Sequence, residues 1–331
     1  MDVAPWLWWT TVLLTTGLLL VDVFVIGRRP HEPTTRETSL HLAGFVALAV
    51  VFGLGVWYFA GGQYGGEFFA GWLTEYSLSV DNLFIFIIIM TKLQVPRQYQ
   101  QTALLIGIVL ALVLRGIFIG VGAAAIENFS WVFYLFGAFL IYTAVKLAKE
   151  GGDDDEHYEE PKLVAIARQR LPLTEHWNGV KFTVSENGKR MLTPMFIVVL
   201  SLGVTDLLFA LDSIPAIYGL TSEPYLVFTA NVFALMGLRQ LYFLIGDLLQ
   251  RLVYLSYGLA FLLFFIGVKL VLHAMHENEL PFVNGGEHIE WAPEVPIWLS
   301  LLVIVGTLAV TTVLSLLKDR STRRKASIGA E

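Results

Sequence analysis

The 331-residue chain contains no cysteine. Disulfides, thiolate zinc sites, iron–sulfur clusters and thiol nucleophiles are thereby excluded. Charge is scarce as well. Asp, Glu, Lys and Arg make up 15% of the residues, against about 25% in soluble domains. The net charge of −6 gives no electrostatic footprint for nucleic acid. There is no G-x-S-x-G, H-E-x-x-H or P-loop pattern, so the common catalytic constellations are missing and no enzyme is expected. Apolar residues dominate instead, at 56% with a mean hydropathy of +0.65. They come in long runs, which predicts an all-α, polytopic membrane helix bundle.

Nine such runs are each long enough to cross the roughly 30 Å hydrocarbon core as a helix. They are Pro5–Ile26, Leu42–Ala60, Glu67–Met90, Thr102–Ala125, Phe129–Leu147, Thr193–Leu220, Tyr225–Leu248, Leu252–His273 and Val295–Leu317. The start, Met-Asp-Val-Ala-Pro, lacks the positive region of a signal peptide, so the first run reads as a retained helix. With nine spans, every Lys and Arg except Arg115, Arg239 and Lys269 falls on one side. The opposite loops carry only acids, including Asp2, Glu127, Glu223, Glu287 and Glu294. The positive-inside rule then predicts the N-terminus outside and the C-terminus in the cytoplasm. The longest loop holds an acidic run, Asp153–Glu160, followed by a basic stretch, Lys162–Arg170. It reads as a solvated linker with one short interfacial helix.

Ionisable residues inside a span each cost about 2.5–3.5 kcal/mol at the helix centre, so they face an interior or a water-filled path. Span three contains Glu75 and Asp81, span six Asp206 and Asp212, span four Arg115 and span seven Arg239. The acids are patterned. Leu73–Phe86 reads LTEYSLSVDNLFIF and Gly203–Ile217 reads GVTDLLFALDSIPAI. Aligned, Thr74 matches Thr205, Glu75 matches Asp206, Asp81 matches Asp212 and Asn82 matches Ser213. A buried arginine follows one span later in each copy, and a lysine, Lys146 or Lys269, two spans later. The pattern is an internal repeat of three spans plus three. The two copies run in opposite directions, the inverted arrangement from which many secondary transporters are built. The chain therefore divides into two N-terminal spans (1–66), a first three-helix repeat (67–147) and a cytoplasmic loop (148–192). A second repeat (193–273), an outer loop (274–294) and a last span with a basic tail (295–331) follow.

Residues seven apart share a helix face. Each motif thus presents two oxygen-bearing stripes, Thr74 with Asp81 and Glu75 with Asn82, then Thr205 with Asp212 and Asp206 with Ser213. Pro215 lacks an N–H and frees the Leu211 carbonyl. That carbonyl reads equally as an extra ligand or as the trace of a kink. Two arginines against four carboxylates leave surplus negative charge, which wants a cation. No histidine lies in a span core, and an oxygen-only shell suits a hard divalent ion better than zinc or copper. Two competing readings are structural salt bridges within a duplicated scaffold and a proton relay through the carboxylates.

The motifs Glu75-Tyr-Ser-Leu-Ser-Val-Asp-Asn82 and Asp206–Ile217 (DLLFALDSIPAI) resemble those of the TerC/Alx family of bacterial membrane proteins. The similarity extends through Asn187–Phe196 (NGKRMLTPMF) and Ala230–Leu244 (ANVFALMGLRQLYFL). The resemblance implies a manganese exporter of the bacterial inner membrane, in a family also associated with tellurium resistance. It implies Glu75, Asp81, Asn82, Asp206, Asp212 and Ser213 at the metal site. Thr74, Arg115, Thr205, Asn231 and Arg239 are expected to support and charge-balance them. No permanently bound cofactor is expected. Mn²⁺ would be the transported substrate, the lipid bilayer the surroundings and H⁺ a candidate coupling ion. A non-transporting partner role in a stress-response or secretion complex is the alternative. One departure stands out: Gly203 occupies a position where the family often has glutamate. A path lined by surplus carboxylates should also repel tellurite, an oxyanion.

Overall fold

The computed structural model describes residues 3–28, 34–129, 131–150, 161–186, 189–249, 254–276 and 291–328, with residues 278, 284, 287 and 289. The acidic run 153–160 and the side chains of Asp81 and Glu127 lie outside the described residues. The helices in chain order are α1 (Pro5–Arg28), α2 (Thr35–Ala60), α3 (Gly62–Lys92), α4 (Arg97–Asn128), α5 (Val132–Glu150) and α6 (Lys162–Arg170). A two-stranded hairpin, β1 (Thr183–Glu186) and β2 (Lys189–Leu192), precedes α7 (Pro194–Tyr218), α8 (Pro224–Met236), α9 (Leu238–Leu249), α10 (Leu255–His276) and α11 (Ile297–Ile328).

Local chemistry sets several of these ends. Thr34 caps α2 by accepting from the Glu37 N–H at 3.3 Å. Pro194 and Pro224 open α7 and α8, where their missing N–H costs nothing. The expected seventh span is interrupted at Gly237, and α8 gives way there to α9. The missing side chain lets α2 and α3 approach closely there, since a Cβ on Gly237 would stand 3.2 Å from Leu42 Cδ1 and from Tyr76 Oη.

Eight helices among the described residues are long and apolar enough to cross a membrane, with α8 and the start of α9 taken as one. The protein is a multi-pass helical bundle. α3, α7 and α8 form its interior, and nearly every residue of α8 is buried. α3 touches α2, α7, α8, α9 and α11, while α4 lies along α7 and α5 along α10. α1 docks on α4 and α8, with Thr11 Oγ1 and Tyr225 Oη sharing a hydrogen bond of 2.7 Å. Apolar side chains on the outer helices, among them Val51, Leu54, Ile117, Val121, Leu302 and Val313, are exposed. That is the surface a lipid-facing bundle presents.

The loop after α5 is more structured than a solvated linker. α6 packs on α7 through buried Val164. The hairpin pairs Thr183 with Leu192 and Glu186 with Lys189, and Leu192 N–H bonds to Pro172 O at 2.7 Å. Trp177 from this region meets the Tyr99 ring of α4, at a centroid distance of 5.9 Å. The end of the bundle where α3 finishes and α4 and α7 begin is closed by an apolar cluster. It includes Leu83, Phe86, Ile89, Leu104, Ile108 and Leu202.

Candidate functional site

Four helices deliver polar side chains to one buried point. α3 brings Glu75, α4 Arg115, α7 Asp206 and Ser213, and α8 Asn231. Arg115, 1% exposed, is the hub. Its Nε and Nη2 donate to Asp206 Oδ2 and Oδ1 at 2.8 and 3.1 Å, a bidentate fork. Its Nη1 donates to Glu75 Oε1, to Asn231 Oδ1 at 2.9 Å and to Ser213 Oγ at 3.4 Å. Ser79 Oγ, one turn along α3, also donates to Glu75 Oε1, at 3.2 Å. The Asn231 amide is oriented by its own helix, because Nδ2 donates to Val227 O at 3.1 Å and leaves the oxygen for Arg115.

The seven-residue spacing has a direct result on α7, where Asp206 and Ser213 both reach the guanidinium. Formal charges at the centre are two carboxylates against one guanidinium, a surplus of one negative charge. Acceptor capacity is also unspent. Glu75 Oε2 and the hydroxyls of Thr74 and Thr205 are buried without a hydrogen-bond partner among the described residues. Thr74 and Thr205 occupy matching positions in the two motifs.

Of the remaining expected residues, Asp212 and Arg239 lie apart from this hub. Asp212 is half-buried and turned toward α5, where it accepts from Thr143 Oγ1 at 3.0 Å and feels the charge of Lys146. Asn82 is buried in α3, one spacing below Glu75. The side chain of Asp81 lies outside the described residues. Arg239 lines a small pocket with Glu37, Thr38, His41 and Gln101 near the start of α2. There the Gln240 oxygen accepts from Arg239 Nη2 at 2.7 Å. α7 stays helical past Pro215 to Tyr218. Among the described residues, no three His, Asp or Glu side chains form a ready-made metal shell. Any ion at the hub would need amide and hydroxyl oxygens beside the two carboxylates.

Sequence reasoning did not single out Thr143 or Ser79. Thr143 sits three residues before Lys146 and so shares its helix face, which was the available signal. Gly203 also gains a physical context. A Cβ at this position would stand 2.5 Å from Leu110 Cδ2 of α4. A glutamate there requires Leu110 to move.

The family model for the "Integral membrane protein TerC family" matches residues 60–323. An uncharacterized membrane protein of Mycobacterium tuberculosis is 47% identical over 322 residues, covering 96% of this chain and 81% of its own length. One from Myxococcus xanthus is 38% identical over 317 residues, covering 96% and 94%. An Escherichia coli protein named as a membrane-bound redox modulator, Alx, is 33% identical over 320 residues, covering 94% of each chain. No solved structure matches the chain. The repeated acidic motifs, the helical bundle and the family match agree: the chain belongs to the TerC family of integral membrane proteins.

Proposed function

We propose that the protein is a nine-span transporter of divalent cations that exports Mn²⁺ across the bacterial inner membrane by alternating access. The observation that carries this reading is the hub itself. Arg115 holds Glu75 and Asp206, one acid from each motif, at a point buried among four helices. α1, with 24 helical residues, supplies the ninth span beside the eight counted above. The inverted repeat is supported by an exchange of neighbours: α4 packs on α7 as α8 packs on α3, while α5 and α10 pair with each other.

In this mechanism Arg115 acts as a tethered cation. Without an ion it satisfies the two acids, whose burial unpaired would cost several kcal/mol each. An arriving Mn²⁺ takes over the carboxylate, amide and hydroxyl oxygens, a shell that suits a hard ion. The guanidinium must then turn away, because it and the metal claim the same oxygens. Asp212, with Thr143 and Lys146 beside it, and Asp81 on α3 serve as the flanking stations. Protons on the carboxylates are the proposed counter-ion. Redox modulation, the role in the name of the Escherichia coli relative, has no thiol to act through here, since the chain lacks cysteine.

The test is Mn²⁺ uptake into inside-out vesicles. Wild type should accumulate Mn²⁺. Glu75→Gln, Asp81→Asn, Asp206→Asn and Asp212→Asn, inserted at equal levels, should each fall at least about tenfold. Absence of flux in wild type, with and without a pH gradient, overturns the transport reading and leaves the hub as a structural ion network.

A further inference from the structure

At the end of the bundle where α3 begins and α7 finishes, a cavity of about 780 Å³ opens between α3, α7, α10 and the start of α11. It lies at the opposite end from the apolar cluster of Leu83, Phe86 and Leu202. Its wall contains a buried carboxylate that neither motif includes. Glu67, 8% exposed, accepts from Thr221 Oγ1 at 2.7 Å and from Gln63 Nε2 at 3.1 Å. Lys269 of α10 lines the same cavity, and its Nζ donates to Ser300 Oγ at 3.3 Å. The buried acid is satisfied by neutral donors, a hydroxyl and an amide, and shares its cavity with one lysine from another helix.

Position along α3 links the two sites. Glu67, Gly71 and Glu75 follow each other at four-residue steps, so they share a face, and Glu67 lies about 12 Å of helix rise from Glu75. Between them stands Gly71. A Cβ there would be 3.1 Å from Ile217 Cγ2 of α7 and 3.5 Å from Ala230 Cβ of α8. Three helices therefore meet in one apolar layer at the level of Gly71, between Glu67 and Glu75 along α3. Glu67, on the cavity wall, stands about two helical turns from Glu75 at the hub.

We infer that Glu67, with Thr221 and Gln63, is an outer cation station, and that the Gly71–Ile217–Ala230 layer is the gate between it and the Arg115 hub. The inference rests on the transport reading for its direction, since it makes this cavity the exit vestibule. The ion class is again a hard divalent cation, because the ligands are a carboxylate, a hydroxyl and an amide oxygen made available by a turn of Gln63. Lys269, anchored on Ser300, is the positive charge lining the same cavity.

The absence of cysteine makes the test clean. Ser222 is exposed and lines the cavity beside Thr221. Cells expressing Ser222→Cys are treated with a membrane-impermeant maleimide, with and without millimolar Mn²⁺. The expected result is labelling from outside that Mn²⁺ slows severalfold. Adding Glu67→Gln should leave the metal-free labelling rate unchanged and abolish the protection. Glu67→Asp should retain part of the protection, which controls for misfolding. Equal protection with and without Glu67→Gln overturns the station. So does a lack of protection in a Ser222→Cys protein that still carries Mn²⁺ flux in vesicles. Glu67-dependent protection in a protein without flux supports the station and overturns the transport reading instead.

Discussion

Arg115 is the residue on which the interior depends. Its guanidinium is 1% exposed and meets two carboxylates, an amide and a hydroxyl from three other helices. Removing one partner of such a group is costlier than removing all of it, because a lone buried charge has no solvent to fall back on. Arg115→Ala is therefore expected to destabilise the protein by about 3–5 kcal/mol, read as a lowered Tm in detergent. Arg115→Lys keeps the charge but loses the fork, and should fall between Ala and wild type. The triple variant Arg115→Met, Glu75→Gln, Asp206→Asn should recover most of the lost stability and carry no Mn²⁺. If the triple variant is no more stable than Arg115→Ala, the penalty does not come from stranded charge. This centre was legible in the sequence because charges stand out in apolar runs. Thr143 was not, since threonine is ordinary in membrane helices and its partner Asp212 is 69 positions away. Glu67 was equally quiet. It stands at the edge of a run, where an acid reads as an interfacial residue.

Among the elements, α4 and α7 show how packing decides what a position can hold. Their interface includes Gly203, whose open face is filled by Leu110. A glutamate here has to displace that side chain and bury a carboxylate three residues from Asp206. Overpacking of this kind costs about 1–3 kcal/mol. Gly203→Glu should lower the Tm accordingly, and Leu110→Ala should restore part of it in the double variant. Gly203→Ala should be milder, because the atom it meets is the far end of a flexible side chain. If Gly203→Glu is neutral alone, the two helices are less tightly apposed than described. The length of the apolar runs located these helices well, because lipid imposes the same requirement along their whole length. It did not resolve the interruption at Gly237, since a single glycine leaves the apolar run intact. The hairpin at Thr183–Glu186 and Lys189–Leu192 also escaped it. Four-residue strands carry little pattern, and the local signal, Asn187 followed by Gly188, is set among charges.

For the whole molecule, sidedness ties the sites to a direction. The basic loops and the acidic loops lie at opposite ends, and the cavity holding Glu67 opens at the acidic end. Exposed tryptophans support that arrangement. Trp6 and Trp9 near the start of α1, Trp131 before α5 and Trp298 at the start of α11 all fall at span ends on the acidic side. Tryptophan favours the membrane interface, where its ring is buried and its N–H stays wet. α1 matters most here, because it decides whether the span count is odd. At 24 residues it is about 36 Å long, enough to cross. Single cysteines can again be introduced without background. Ala4→Cys and Gln63→Cys should react with an impermeant maleimide in intact cells, and Arg170→Cys only after permeabilisation. If α1 lies along the membrane instead of crossing it, Ala4→Cys should follow Arg170→Cys while Gln63→Cys still labels from outside. If Gln63→Cys is the protected one, the whole molecule is inverted. The Glu67 cavity would then face the cytoplasm and, in the proposed export cycle, serve as its entrance.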